Sequence, residues 1–591
     1  MDRTGIIVVS ICAALLVLWF FEQQKEETHW QQQQMQIAAT NTVPITTTMA
    51  SPALTTFASP FDTNIPEKTI VLTNANARYT FSSRGGGLEL VELLHFPETI
   101  SPRWKQSSTP TNAVATLNTR APVPVLSILG DTNLIGNGSF DLARTDDGVR
   151  AEKLLPDGLR LVKEFHLSSN YLINATVKLE NTADKPLALP EQEWVVGTAT
   201  PMDVDDFGFA SFYGGAMWFD GKNAVNHSVA YFNTNTRTLF GLLPRTPTPD
   251  YRAGNGNVIW AAAQNQFFTL LAMPATPAQE IFARPVALPP PPENPSALSV
   301  GVLTALVYPA ATLSANSSLE RQIVFYAGPK EYRTLAKIGD NLNNRADLAM
   351  NFGTGYMSFW GVGTFFAKLL LSAMNWLHDV TNVPYGWAIV LITVILRLIF
   401  WPFTAMSIRS SKKMQALAPE IKALKEKYKD DPQKFTQKQM ELWKKNKVNP
   451  MSGCLPMLIQ MPVFFGFYSM LRSAIELRGA HFLWVADLTK PDTLFMIPGL
   501  NFPFNLLPLL MVGVMVWQAH LQPPSPGMDP SQQKMMRYMP LIFLVFLYNY
   551  SSGMALYMTV STLLSGIQAK LTRTMIKTEP SPLTPPQKSK K

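Results

Sequence analysis

A few polar side chains stand inside long apolar runs of this sequence, where they are costly to keep. Arg397 lies in the run 385–404, seven residues from its end and about 10 Å deep at the helical rise. Thr393, four residues earlier, shares its helical face. Gln460 lies seven residues into the run 453–475, which returns in the opposite direction, and Gln518 is near the end of a further run at 504–521. None of these runs, nor 535–570, contains Asp or Glu. Arg397 therefore has no counter-ion built into the spans. An Arg at this depth can snorkel to the surface. On a lipid-facing helix it costs a few kcal/mol or more, which favours a wet cavity open to one side. A lone cation there attracts acidic segments of a passing chain. Proton or ion coupling needs an intramembrane acid, and there is none here to supply it.

Enzymatic chemistry finds little support. His95, His166 and His227 are scattered, and HExxH, GxSxG and Walker A motifs are absent. Cys12 and Cys454 are far apart within apolar runs, so neither a disulfide framework nor a thiolate metal site is expected. No catalytic residue, cofactor or metal is expected. Thirteen of the 26 Met residues fall in 451–560. Flexible thioethers suit a surface that accepts many apolar sequences, although ordinary membrane packing also explains them.

The elements that hold these residues follow from apolar length and charge. The formal net charge is +8 over 591 residues, but it is unevenly spread. Residues 22–350 carry a net −6, whereas 405–450 carry +7 and 538–591 carry +5. Basic stretches flanking apolar runs are a topology signal and not a DNA footprint. The run 1–21 lacks a small-residue cleavage site and reads as an uncleaved anchor. Spans are expected at 385–404, 453–475, 504–521, 535–550 and 553–570. Both termini then lie in the cytoplasm, with 22–384 outside and 405–450, 522–534 and the basic tail 571–591 inside. If 356–377 spanned as well, it would place the +7 segment beside the acidic domain. That stretch is better read as an amphipathic helix in the interface, with Lys368 snorkelling.

Residues 22–66 read as a disordered tether, since 28–61 contain no Asp, Glu, Lys or Arg. Short β-type runs separated by turn residues then fill 67–330. They include 69–72, 78–82, 88–94, 160–167, 171–179, 266–273 and 322–326, with turns such as Arg84-Gly-Gly-Gly87. An all-β antiparallel sandwich is expected, followed by a linker helix and the interfacial helix in 331–384. Segment 405–450 reads as a helical hairpin, with Met414, Leu417, Ile421, Leu424 and Tyr428 at helical spacing and Asp431-Pro432 opening its second arm. Its basic surface suits anionic lipid, ribosomal RNA or an acidic targeting factor.

Several motifs are specific. They are Ile392-Thr-Val-Ile-Leu-Arg-Leu398, Trp401-Pro-Phe-Thr404, Val448-Asn-Pro-Met-Ser-Gly-Cys-Leu-Pro-Met-Leu-Ile-Gln-Met-Pro462, Glu476-Leu-Arg478, Asp529-Pro-Ser-Gln-Gln-Lys534, Met539-Pro540 and Ser552-Gly-Met-Ala-Leu-Tyr557. In this order the chain resembles the bacterial YidC membrane protein insertase family, in its Gram-negative form. The resemblance implies an α-helical polytopic membrane protein with six transmembrane helices, a five-helix insertase core and an all-β sandwich periplasmic domain. It implies an inner-membrane protein with a hydrophilic substrate groove closed to the periplasm. Arg397, Thr393, Gln460 and Tyr557 occupy the groove positions, and Gln518 joins them by its depth. The chain departs at Met558, often a second Tyr in the family, and at Asn549 and Ser551. The implied partners are nascent membrane proteins, the ribosome, the Sec translocon, the signal recognition particle system and anionic lipids, but not DNA. The rival readings are a small-solute transporter or channel, and an assembly factor acting through its outer domain.

Overall fold

The computed structural model describes residues 60–62, 64–100, 113–201, 214–232, 237–238, 243–244, 248–289, 299–352, 362–429, 431–446, 455–499, 502–521 and 530–575. The expected anchor at 1–21, the tether up to 59, the loop 522–529 and the tail beyond 575 lie outside the described residues.

All expected β-runs are strands, and all pair antiparallel. A four-stranded sheet holds Thr69–Thr73, Ala77–Ser82, Gly87–Pro97 and Val114–Leu117. A nine-stranded sheet runs from Ala224–Ser228 to Asp141–Arg144, with Ser318–Pro329, Leu172–Asn181 and Leu159–Leu167 adjacent within it. A five-stranded sheet centres on Ser299–Tyr308 and Gln192–Ala199. The alternation that marks these strands sends Ile173, Ala175, Val177 and Leu179 inward, while the residues between them remain more exposed.

The two large sheets face each other. Trp194 and Tyr308 of one and Trp260, Phe268 and Tyr326 of the other are buried in a single core. At Gly197, beside a bulge, a Cβ would come within 2.6 Å of Leu270 Cδ1, so the sheets close only over a glycine there. The Arg84–Gly87 turn is equally tight, since a Cβ on Gly85 would meet Ser127 Oγ at 2.2 Å. Lys163 is fully buried beneath this turn. Its Nζ donates to Gly85 O at 2.6 Å and Leu126 O at 2.7 Å and lies 4.5 Å from the centre of the Phe140 ring.

Eleven helices of eight or more residues or their direct continuations follow among the described residues: α1 Tyr332–Leu342, α2 Val362–Thr381, α3 Tyr385–Ile399, α4 Trp401–Ala416, α5 Ala418–Lys427, α6 Pro432–Lys445, α7 Leu455–Ser473, α8 Leu506–Leu521, α9 Pro530–Tyr538, α10 Pro540–Leu547 and α11 Ser552–Met575. Helix α2 packs on α7, and α11 packs on both α3 and α8. Helix α7 contains Pro462.

The helix boundaries differ from the sequence expectation in several places. The run 385–404 is interrupted at Phe400, because Pro402 in the first turn of α4 cannot donate to the preceding turn. Helix α3 alone is about 22 Å long. The interfacial stretch is described from residue 362, continues to Thr381, and bends by 117° into α3. The run 535–550 is divided between α9 and α10, the latter with Pro540 in its first turn. Among the described residues no single helix is long and apolar enough to cross a membrane, while α2 and α3 together pass as one bent pair. Lys368 does not snorkel. Its amine pairs with Asp347 in the 3-10 turn Ala346–Met350.

The expected hairpin is α5 and α6. Leu417 and Ile421 are buried against Met414, Phe435, Leu442 and Trp443. Asp431 caps α6, accepting from Lys434 N at 3.0 Å, with Pro432 in the first turn.

Candidate functional site

Three helices bring the polar residues together. Thr393 and Arg397 lie one turn apart on α3, Gln460 sits on α7, and Tyr557 and Ser561 lie one turn apart on α11. With Phe400 they line a small pocket between the three helices. Arg397 Nη2 donates to Ser561 Oγ at 2.6 Å. Its Nε is buried and has no hydrogen-bond partner. No carboxylate among the described residues pairs with it, and the helices around it carry no acid near that depth.

Across the pocket from Arg397, the side chains of α7 and α11 hold one another. Gln460 Nε2 donates to the Tyr557 hydroxyl. The buried Tyr557 ring stacks on Phe467 with centroids 4.1 Å apart and planes 20° apart. Thr393 is buried, and its hydroxyl donates to Ile389 O at 2.6 Å, so its polar atom is turned back onto α3. The pocket thus has a cation on one side, hydrogen-bonded amide and hydroxyl groups on the other, and apolar walls between them. Its cation can attract an anionic group, and its amide and hydroxyl groups can hydrogen-bond a polar one. It has no nucleophile–base pair, and among the described residues no group of three or more His, Cys, Asp or Glu could hold a metal.

Of the six residues singled out in the sequence, Arg397, Thr393, Gln460 and Tyr557 share this pocket. Gln518 lies apart from it on α8, where its Nε2 donates to Ser565 Oγ of α11 at 2.9 Å. Met558 is partly buried and packs against the core instead of lining the pocket. Ser561 was not anticipated, although its position one turn after Tyr557 puts it on the same face. Ser561, Ser565, Gln568 and Thr572 continue a polar row along α11. Gln568 and Thr572 are buried, and their side-chain polar atoms lack hydrogen-bond partners.

The β-domain is held against the helical region by Arg478, just after α7. Its Nη1 donates to Pro97 O and its Nη2 to Glu98 O, both at 2.8 Å, with the guanidinium 5.6 Å from the Phe268 ring centre.

Residues 69–371 match the family model described as the YidC periplasmic domain, and residues 376–579 match the one described as 60Kd inner membrane protein. A protein of Burkholderia vietnamiensis named "Membrane protein insertase YidC" is 31% identical over 417 residues, covering 70% of this chain and 66% of that one, just short of two thirds. A protein of the same name from Burkholderia cenocepacia is 31% identical over 433 residues, 72% of this chain and 69% of its own. A crystal structure of an active YidC insertase with its first transmembrane domain resolved shares 19% identity, covers 87% of this chain and 95% of its own, and gives a TM-score of 0.32. Both parts of the chain, the β-domain and the helical region, thus match models of one family, and the chain belongs to the YidC family.

Proposed function

We propose that this chain is a membrane protein insertase of the bacterial inner membrane, and not an enzyme. The observation that carries this reading is Arg397: a cation in a three-helix pocket, hydrogen-bonded to a serine and paired with no carboxylate among the described residues. It would draw an acidic extramembrane segment of a client partway into the pocket, after which the client's apolar segment slides sideways into lipid. Hydrophobic partitioning supplies the driving force. The names of the relatives support the same reading.

The proposed topology has six spans and both termini in the cytoplasm, with the β-domain in the periplasm. The charge distribution supports it, and so does the 117° bend that turns α2 away from α3. Nascent membrane proteins are the proposed substrates. The basic hairpin α5–α6 and the basic tail are proposed to meet anionic lipid, the ribosome or the signal recognition particle system, and the Sec translocon is a proposed partner.

The test is site-specific crosslinking of a stalled membrane-protein nascent chain to probes at positions 393, 397, 460 and 557. Crosslinks at all four, together with an insertion defect in Arg397→Ala, are expected. Their absence, with insertion unchanged in Arg397→Ala, would sink the proposal.

A further inference from the structure

After α7 the chain makes a 3-10 turn, Ile475–Leu477, which sets Glu476 against α2. Asn375 of α2 is 4% exposed and donates its Nδ2 to Glu476 Oε1 at 3.1 Å. The other two oxygens of the pair, Glu476 Oε2 and Asn375 Oδ1, are both buried, and neither has a hydrogen-bond partner. Apart from the Glu476 backbone N–H, one amide NH2 is the donor these three oxygens share, and the count is the same whichever way the amide is turned. Leaving a buried carboxylate oxygen without a donor is strongly disfavoured. One proton on Oε2 removes both deficits.

We infer that Glu476 is a proton-binding site, carried as the neutral acid with its Oε2–H donated to Asn375 Oδ1 in a cyclic acid–amide pair. The proton comes from solvent and returns to it; no other bond changes. The neighbouring charges supply no competing cation in contact. Glu331 and Arg333, at and just inside the start of α1, act on the carboxyl with opposite signs, and Arg333 is held by Asp379 of α2 at 2.6 Å. Arg478 is engaged with the Pro97 and Glu98 carbonyls, and Arg472 stands beside the buried Lys330. Tyr326 of the β-domain and Tyr385 at the head of α3 also lie within electrostatic reach. Burial is the strongest influence and raises the carboxyl's titration range, against its own backbone N–H and the Asn375 amide.

A group raised in this way stabilises the fold at low pH, and its contribution fades as pH climbs through its titration. Deprotonation sets a charged Oε2 against Oδ1 and opens the tie between α2 and the end of α7.

Infrared difference spectra of the full chain in lipid nanodiscs, stepped in pH, test this. A protonated-carboxyl carbonyl band is expected at neutral pH, lost in Glu476→Gln and shifted in Asn375→Leu. Glu476→Gln preserves the pairing, since its amide NH2 replaces the O–H, so its melting temperature should match that of the wild type at low pH and lose the wild-type decline as pH rises. No such band at neutral pH, or a band unaffected by Glu476→Gln, would overturn the inference. If that variant fails to fold, the band in Asn375→Leu decides, and an unshifted band overturns it.

Discussion

Arg397 and Ser561 meet across two helices, with the guanidinium Nη2 donating to the serine Oγ at 2.6 Å. The partner is neutral, so the contact fixes the direction of the guanidinium and leaves its charge available. A carboxylate at the same place would hold it equally well and neutralise it.

Ser561 variants therefore separate orientation from charge. Ser561→Ala removes a hydrogen bond to a charged group, worth about 1.5–3 kcal/mol when buried and less beside a partly exposed Arg. Insertion should drop only partly. Ser561→Asp should pair with Arg397 and abolish insertion as fully as Arg397→Ala does, while raising thermal stability. An insertion assay and a melting curve on the same preparations check both halves.

The stack of Tyr557 on Phe467 anchors the far wall. Tyr557→Phe retains the ring and loses only the hydroxyl's bonds with Gln460 and Ser561, so its melting temperature should move little. Tyr557→Ala opens a cavity and should cost about 3–5 kcal/mol. Thermal unfolding in one detergent compares them directly.

Lys153 gives the β-domain a pH signature. It is 9% exposed, its Nζ donates to Ile135 O at 2.6 Å, and burial pulls its amine down to about 8. Above that pH the unfolded chain holds the proton that the folded domain has released, so stability rises from about pH 8 towards the free-lysine value of about 10.4. Lys163, lowered by its own burial and by Lys153, acts in the same direction. Lys153→Met should flatten part of that rise, as measured by denaturant midpoints across the alkaline range.

Arg478 should govern how firmly the β-domain sits on the helices. Arg478→Ala frees the carbonyls of Pro97 and Glu98. The expected cost is about 1 kcal/mol, or roughly a fivefold faster hydrogen exchange at the end of strand Gly87–Pro97. Unchanged exchange there would show that the aromatic contacts suffice.

The β-domain was readable from short runs of aromatic and β-branched residues set between turn signals; 171–179 is the clearest case. The helices were less readable at their ends. Apolar content runs through Phe400 without a signal, and the break comes from Pro402, whose missing N–H hydropathy does not register. Of the four candidate residues that share the pocket, Arg397 and Gln460 stand out as polar groups in apolar runs, Thr393 follows from its place one turn before Arg397, and Tyr557 came from the family resemblance. Ser561 was missed since a serine in a helix costs little and draws no notice. Lys368 was misread because its partner, Asp347, lies 21 residues back beyond a turn.

Pro462 in α7 has a mechanical consequence. It has no N–H, so the carbonyl of Leu458 receives no bond from it, and the rung that should join those two positions is missing. The gap straddles Gln460, the residue that α7 contributes to the pocket. A rod lacking one rung flexes there before it flexes anywhere else. The wall bearing Gln460 is therefore the compliant side of the pocket, and the wall bearing Arg397 on unbroken α3 is the anvil against which it moves.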